Sequence, residues 1–285
     1  MKKIMKILTI VSLMAILSTF AFSSPALAIQ NGIHDGDAHP YVVICVFDLD
    51  IGGIPTPAWR TTGFLISPTV VITAGHGTYG TVGARVSNDS YIPPMQNPPI
   101  LTEYPFPGSW ATEAAEIYTH PDYLATPTGR GLPMFDAYDI GIIVLSEPIE
   151  LDKYAELPEA GFVDTLRKYA PVELVGYGST SQERGGGVDP YNAWQWDRYR
   201  NFANANLIPS NDVISDMFLK VSSNEGKGTG GTTFGDSGGP ILNAGTNVVL
   251  GLTSFGTNVN CSGVGYDQRL DRQDILEWIE SIMNP

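Results

Sequence analysis

Residues 235–240 read Gly-Asp-Ser-Gly-Gly-Pro. A serine hydroxyl here sits on a glycine-lined turn whose backbone N–H groups can point at one reacting atom. A carboxylate, Asp236, immediately precedes it and can lock the turn. A nucleophile beside a preformed anion site is the core requirement of acyl transfer. Serine also needs a base, and the chain has four histidines: His34, His39, His76 and His120. His34 and His39 lie in a polar segment and read as surface residues, while His120 opens the turn His120-Pro121-Asp122-Tyr123. His76 ends an apolar run, Val70-Val71-Ile72-Thr73-Ala74-Gly75-His76, where Ala and Gly let other segments approach. Taken alone it would serve equally as a buried structural histidine. A third group should be a carboxylate that fixes the imidazole tautomer. Asp139 leads directly into the apolar run Ile140–Leu145 and must find a partner if buried. Asp136, separated from Asp139 by Ala137-Tyr138, is its rival.

The elements that must carry these residues are strands. Val/Ile/Thr-rich runs recur between Gly/Pro clusters at Tyr41–Phe47, Thr62–Ile66, Val70–Thr73, Ile140–Leu145, Val172–Val175, Val248–Leu252 and Gly263–Tyr266. That rhythm predicts a multi-stranded antiparallel all-β protein. Residues 272–283 instead place apolar side chains at 275, 278, 279, 282 and 283, one face of a helix. This C-terminal helix is expected to bury Trp278 and Ile282. Residues 50–57, 92–107, 123–133 and 182–201 read as loops. The last holds Tyr191, Trp194, Trp196 and Tyr199, which either form a recognition patch or fold back onto the body.

The first 28 residues read as a cleaved signal peptide. Lys2, Lys3 and Lys6 precede the apolar run 7–22, and Ala26-Leu27-Ala28 is a small-residue cleavage signal; an uncleaved anchor is the competing reading. Removal leaves 257 of 285 residues, 29–285, enough for one large domain or two small halves around a shared core. The leader holds three of the 16 basic residues and none of the 30 acidic ones, so the mature charge is −17 against −14 for the whole chain. Such a field argues against nucleic acid and anionic membranes as partners. The expectation is a secreted monomer. No ligand spacing indicates calcium or another metal, and no cofactor is expected. Cys45 and Cys261 are the only cysteines, and whether they pair is open.

The segments Thr73-Ala74-Gly75-His76, Asp139-Ile140-Gly141-Ile142-Ile143 and Gly235–Pro240, in that order, resemble the chymotrypsin/trypsin family of serine endopeptidases. Gly176-Tyr177-Gly178 and Thr253-Ser254-Phe255-Gly256 are weaker echoes. The resemblance covers residues 29 to 285. It implies two six-stranded antiparallel β-barrels and a C-terminal helix, with the active site between the barrels. In that scheme Ser237 attacks, His76 carries the proton and Asp139 orients His76. The N–H groups of Gly235 and Ser237 form the oxyanion hole. Ser254, Phe255 and Gly256 line the substrate as an edge strand.

The family is activated when a new N-terminal amine pairs with the aspartate before the nucleophile. Cleavage after Ala28 would start the chain at Ile29-Gln30-Asn31-Gly32, so the resemblance implies an Ile29–Asp236 pair made by signal peptidase. Gln30 and Asn31 depart from the family pattern. The family's tryptic members carry an aspartate six residues before the serine, where this chain has Gly231. No acid lies between Gly226 and Gly235, and Thr232 and Thr233 are mildly polar, so an uncharged side chain is expected before the scissile bond. The family's usual disulfides are missing: Gly77 stands where a cysteine often follows the histidine, and Thr233 where Cys261 would find its partner. Alternatives are a catalytically silent binding protein, or a secreted esterase on the same scaffold.

Overall fold

The computed structural model describes residues 29–93, 108, 111–123, 138–182, 194–209, 216–224, 228–258 and 260–284. The leader, Tyr191 and most of the segments 92–107 and 123–133 lie outside them. The N-terminal strand β1 (Ile33–His34) is followed by β2 (Val42–Ile51), β3 (Ile54–Ser67), β4 (Val70–Thr73), β5 (Gly83–Ser87), β6 (Thr112–Thr119) and β7 (Gly141–Leu145). Strands β2 to β7 close into a barrel in the order β2-β3-β4-β7-β6-β5. The long β2–β3 ribbon turns through Gly52 and Gly53, both with positive φ, as a two-residue hairpin turn requires. Residues 54–57, expected as loop, belong to β3. Pro55 and Pro57 fit because this end of the ribbon pairs with β2 alone.

The second half holds β8 (Pro171–Gly176), β9 (Ser181–Gln182), β10 (Trp194–Gln195), β11 (Asn201–Asn206), β12 (Phe218–Ser223), β13 (Pro240–Asn243), β14 (Val249–Gly256) and β15 (Gly263–Arg269). Strands β9 and β10 form a separate ribbon; the others make a sheet ordered β1-β11-β8-β13-β14-β15-β12. The expected second barrel is therefore nearly but not fully closed. Its ends meet at one bridge, Leu207↔Val221, with the Ile208 N–H donating to the Lys220 carbonyl at 2.7 Å. Strand β1 occupies the free edge of β11 at Asn201 and Phe202, leaving only the far end of β11 to reach β12.

A single-turn helix α1 (Gly75–Thr78) follows β4, and α2 (Gln273–Met283) ends the chain. Helix α2 seats Ile275 and Ile279 fully in the core, each contributing about 1.5–3 kcal/mol of burial. Trp278 and Ile282, expected to be the buried pair, are half-buried, and Trp278 packs on His120 with ring centroids 4.8 Å apart. One core runs from the first barrel through Tyr177, Leu242 and Leu252 to α2; a second fills the other half and includes Ile29. Among the described residues no helix is long and apolar enough to cross a membrane.

Candidate active site

Two glycines bring α1 against the start of β7. A Cβ on Gly75 would lie 2.9 Å from the Ile140 backbone nitrogen, and one on Gly141 would lie within 2.4 Å of the Thr78 Oγ1. The approach sets Asp139 beside His76 in α1. The His76 N–H donates to Asp139 Oδ1 at 2.7 Å, and Nδ1 lies 2.8 Å from Oδ2. An ionised carboxylate there requires the proton on Nδ1, which frees Nε2 as a base. Ser254 Oγ donates to the same carboxylate, and the Asp139 N–H donates to Gln268 Oε1 at 3.2 Å. Burial pushes Asp139 up, but the His76 charge, its two hydrogen bonds and the Ser254 hydroxyl outweigh it and hold the carboxyl below its ordinary range. Asp139 is buried while the His76 side chain is 37% exposed, so the pair presents its imidazole outward.

The serine loop is fixed from both halves of the molecule. From β3, the Thr62 N–H donates to the Ser237 carbonyl at 2.9 Å, and Thr62 Oγ1 donates to the Gly235 carbonyl at 2.9 Å. From β14, the Thr253 carbonyl accepts the Gly238 N–H at 2.7 Å. Gly235 and Gly238 take φ of 98° and 79°, conformations that favour glycine. The N–H groups of Asp236, Gly238 and Gly239 all donate within the fold; among the described residues, those of Gly235 and Ser237 do not.

Asp236 is wholly buried between Gly176 and Gly178, where a Cβ on either glycine would meet its carboxylate within 2.3 Å. It accepts the Gly178 N–H at 2.7 Å, the Thr233 N–H at 2.8 Å and the Thr233 hydroxyl at 3.1 Å. Burial nevertheless raises its pKa to about 6, against the pull of these donors and of Arg60. No ion pair joins it to Ile29 among the described residues of the uncut chain. Ile29 is fully buried, and Gln30 exchanges backbone hydrogen bonds with Gly231 at 2.8 and 3.1 Å.

A cavity of about 280 Å³ gathers His76, Ser237, Thr232, Ser254, Phe255 and Gly256. Gly231 does not line it. A Cβ at Gly231 would lie 1.6 Å from Ser223 Oγ, and Ser223 supplies the wall there instead. The positioning roles of Thr62 and Gln268 had no local sequence signal, because both act across strands. Ser254, read as a substrate-lining residue, also supports Asp139.

The other histidines have structural surroundings. His34 stacks on Tyr199 at 4.0 Å, as a surface residue can. His39, expected at the surface, is buried: its Nδ1 lies 2.5 Å from Asp35, which also pairs with Arg200 at 2.7 Å. His120 is buried against Tyr138. Trp196 lies between Arg60 and Arg198, and Tyr199 packs on Tyr91, so these two aromatics fold back onto the body. Cys45 and Cys261 are both free, one inside the first barrel and the other beside the cavity in the second half. Among the described residues no cluster of His, Cys, Asp and Glu could hold a metal.

The chain matches the family model described as Trypsin over residues 39–279. Among solved structures it is similar to HL collagenase (TM-score 0.63, 16% identity, covering 89% of this chain and 97% of that one). It is also similar to neuropsin, a serine protease expressed in the limbic system of mouse brain (0.58, 18%, 89% and 99%). Human heparin binding protein gives 0.58 at 16% identity, covering 89% and 96%. At these identities the structures speak for the fold. No curated protein sequence matches the chain significantly.

Proposed function

The chain belongs to the trypsin family of serine endopeptidases, and from that membership we propose that it is a secreted enzyme working through His76, Asp139 and Ser237. Ser237 Oγ attacks the peptide carbonyl while His76 Nε2 takes its proton. The oxygen of the resulting tetrahedral species accepts hydrogen bonds from the Gly235 and Ser237 N–H groups, both without a partner among the described residues. Such a donor contributes roughly 3–4 kcal/mol to lowering the barrier. His76 then protonates the leaving amine, and an acyl group remains on Ser237. Water, deprotonated by His76, attacks the ester, and the proton returns to Ser237 as the acid product leaves.

The observation that carries this reading is the two-point hold of Asp139 on His76, beside a cavity that His76 shares with Ser237. The pairing of β14 supports a substrate strand. Its pairing with β13 ends at Leu252, and Ser254, Phe255 and Gly256 beyond it line the cavity beside Ser237, where we place a peptide added as a strand. For activation, cleavage before Ile29 would leave an ammonium at a buried position. The segment that follows it is already paired to Gly231, five residues before Asp236. An ammonium reaching Asp236 would compensate its buried charge.

The test is hydrolysis of a denatured protein and of a peptide library by the secreted, processed chain, with Ser237→Ala as control. Cleavage by the parent alone supports the proposal. Equal absence of cleavage in both would favour a binding protein on the same fold, and ester-only turnover would make it an esterase.

A further inference from the structure

Strand β3 brings an arginine against the serine loop. Arg60 is half-buried there. Its Nη1 donates to the Tyr177 carbonyl at 2.8 Å, and its Nε is buried without a hydrogen-bond partner. The guanidinium stacks on Trp196, with Cζ 4.0 Å from the ring centroid. Among the described residues no carboxylate pairs with it, and Asp236 feels it only as a charge at longer range. An unpaired cation held in one place in so acidic a chain creates a local positive potential.

That place is the back of the proposed oxyanion hole. A Cβ on Gly235 would lie 2.0 Å from Arg60 Nη1. The nitrogen is therefore within about 3.5 Å of the Gly235 Cα. The guanidinium occupies the space that a side chain at 235 would need. Thr62, two residues along and on the same face of β3, holds the same loop. Its Oγ1 donates to the Gly235 carbonyl and its N–H to the Ser237 carbonyl, each at 2.9 Å. Adding the N–Cα bond and one hydrogen bond puts an oxygen bound by the Gly235 N–H about 8 Å or less from Nη1. Over that distance, at an effective dielectric of about 20, a unit charge is worth more than tenfold in rate.

We infer that Arg60 is a positioning residue of the oxyanion hole, seating Gly235 and supplying the positive charge behind its N–H that stabilises the tetrahedral oxyanion. The inference rests on the proposed endopeptidase function. In the uncut chain the charge of Arg60 acts on Asp236, pulling its carboxyl down against burial. Once an Ile29 ammonium compensates Asp236, as proposed for the processed chain, the Arg60 charge is left over for the oxyanion. A guanidinium stays protonated throughout the working range, so its contribution does not vary with pH.

The experiment joins kinetics to a probe of the oxyanion itself, in the processed parent, Arg60→Gln, Arg60→Met and Arg60→Lys. A peptidyl trifluoromethyl ketone is the probe. Ser237 Oγ bonds to its ketone carbon, the serine proton passes to His76, and the carbonyl π electrons move onto the oxygen, leaving a hemiketal oxyanion. Titration followed by carbon NMR of the labelled hemiketal carbon reads the pKa of that oxyanion. The Gln and Met chains are expected to lose kcat by about tenfold or more with KM little changed, and to raise the hemiketal pKa by about one unit or more. Arg60→Lys, which keeps the charge, is expected to restore the hemiketal pKa. Met keeps an apolar stem against Trp196 and gives a second charge-free variant should Gln disturb the fold. A parent that forms no adduct would overturn the endopeptidase reading and this inference with it. An adduct that titrates alike in the parent and in both charge-free chains, or a pKa that Lys leaves as high as Gln does, would overturn the inference alone.

Discussion

The carboxylate of Asp139 receives His76 twice, at the backbone N–H (2.7 Å) and at ring Nδ1 (2.8 Å). The first contact fixes where the histidine backbone sits, and the second fixes which ring nitrogen carries the proton. Gly75 and Gly141 allow the close approach, and Ser254 and Gln268 from the second half hold Asp139 in place.

Replacing the carboxylate by an isosteric amide, Asp139→Asn, should keep the fold and stabilise the wrong tautomer. We expect kcat to fall by about 10⁴ with little change in KM. Steady-state kinetics with circular dichroism as a folding control checks this; a loss under tenfold would separate Asp139 from catalysis.

Ser254→Ala removes one of the three donors to Asp139 and leaves both from His76. A hydrogen bond to a charged group contributes about 1.5–3 kcal/mol, so kcat should fall about tenfold or more, well short of the loss in Asp139→Asn. An unchanged kcat in this variant would show that the hydroxyl is dispensable.

Gly178→Ala places a methyl against the Asp236 carboxylate, within 2.3 Å of it before any relaxation. Asp236 anchors the loop that carries Ser237, and a shift of about 1 Å in a catalytic group costs on the order of 100-fold. The expected result is a folded chain with kcat/KM reduced by that order, while alanine at Gly245, a positive-φ glycine with open surroundings, leaves activity near that of the parent.

Burial raises the pKa of Asp236 to about 6 and of Asp267 to about 8, whereas an unfolded aspartate titrates near 3.9. Between about pH 4 and 8 the folded chain thus binds more protons than the unfolded one, and stability falls as pH rises. Asp139 and Asp35 are lowered and act oppositely, losing their contribution as pH falls through their folded values. Melting temperature should therefore decline from pH 5 to 9, and Asp267→Asn should flatten the part between pH 6 and 8. Calorimetry across that range would contradict this if the two chains melted in parallel.

Cleavage after Ala28 predicts that the active secreted form begins at Ile29 and that Asp236→Asn abolishes its activity. N-terminal sequencing decides the first point; an active form starting elsewhere would refute it.

Sequence alone made the strand rhythm, the helix at 273–283 and the order of His76, Asp139 and Ser237 legible, because each is encoded within a few consecutive residues. Contacts between distant strands were not. Asp267 stands among polar residues on β15, and its burial emerges only when β15 pairs with β12 and β14. His39 read as a surface residue because Glu173 and Phe202, which lie against it, come from the distant strands β8 and β11. Gly231 looked like a pocket floor by counting, yet Ser223 from β12 occupies the space in front of it. The second barrel stayed open at one bridge because β1 takes an edge of β11 that no local pattern reveals.

The central claim is that Ser237 is a nucleophile activated by His76. Its most direct measurement is reaction of the processed chain with an organofluorophosphonate, followed by peptide mapping. The account predicts one adduct, on Ser237, absent in Ser237→Ala and slowed by orders of magnitude in His76→Ala. An unlabelled Ser237 in folded, processed protein, or labelling indifferent to His76, would contradict it.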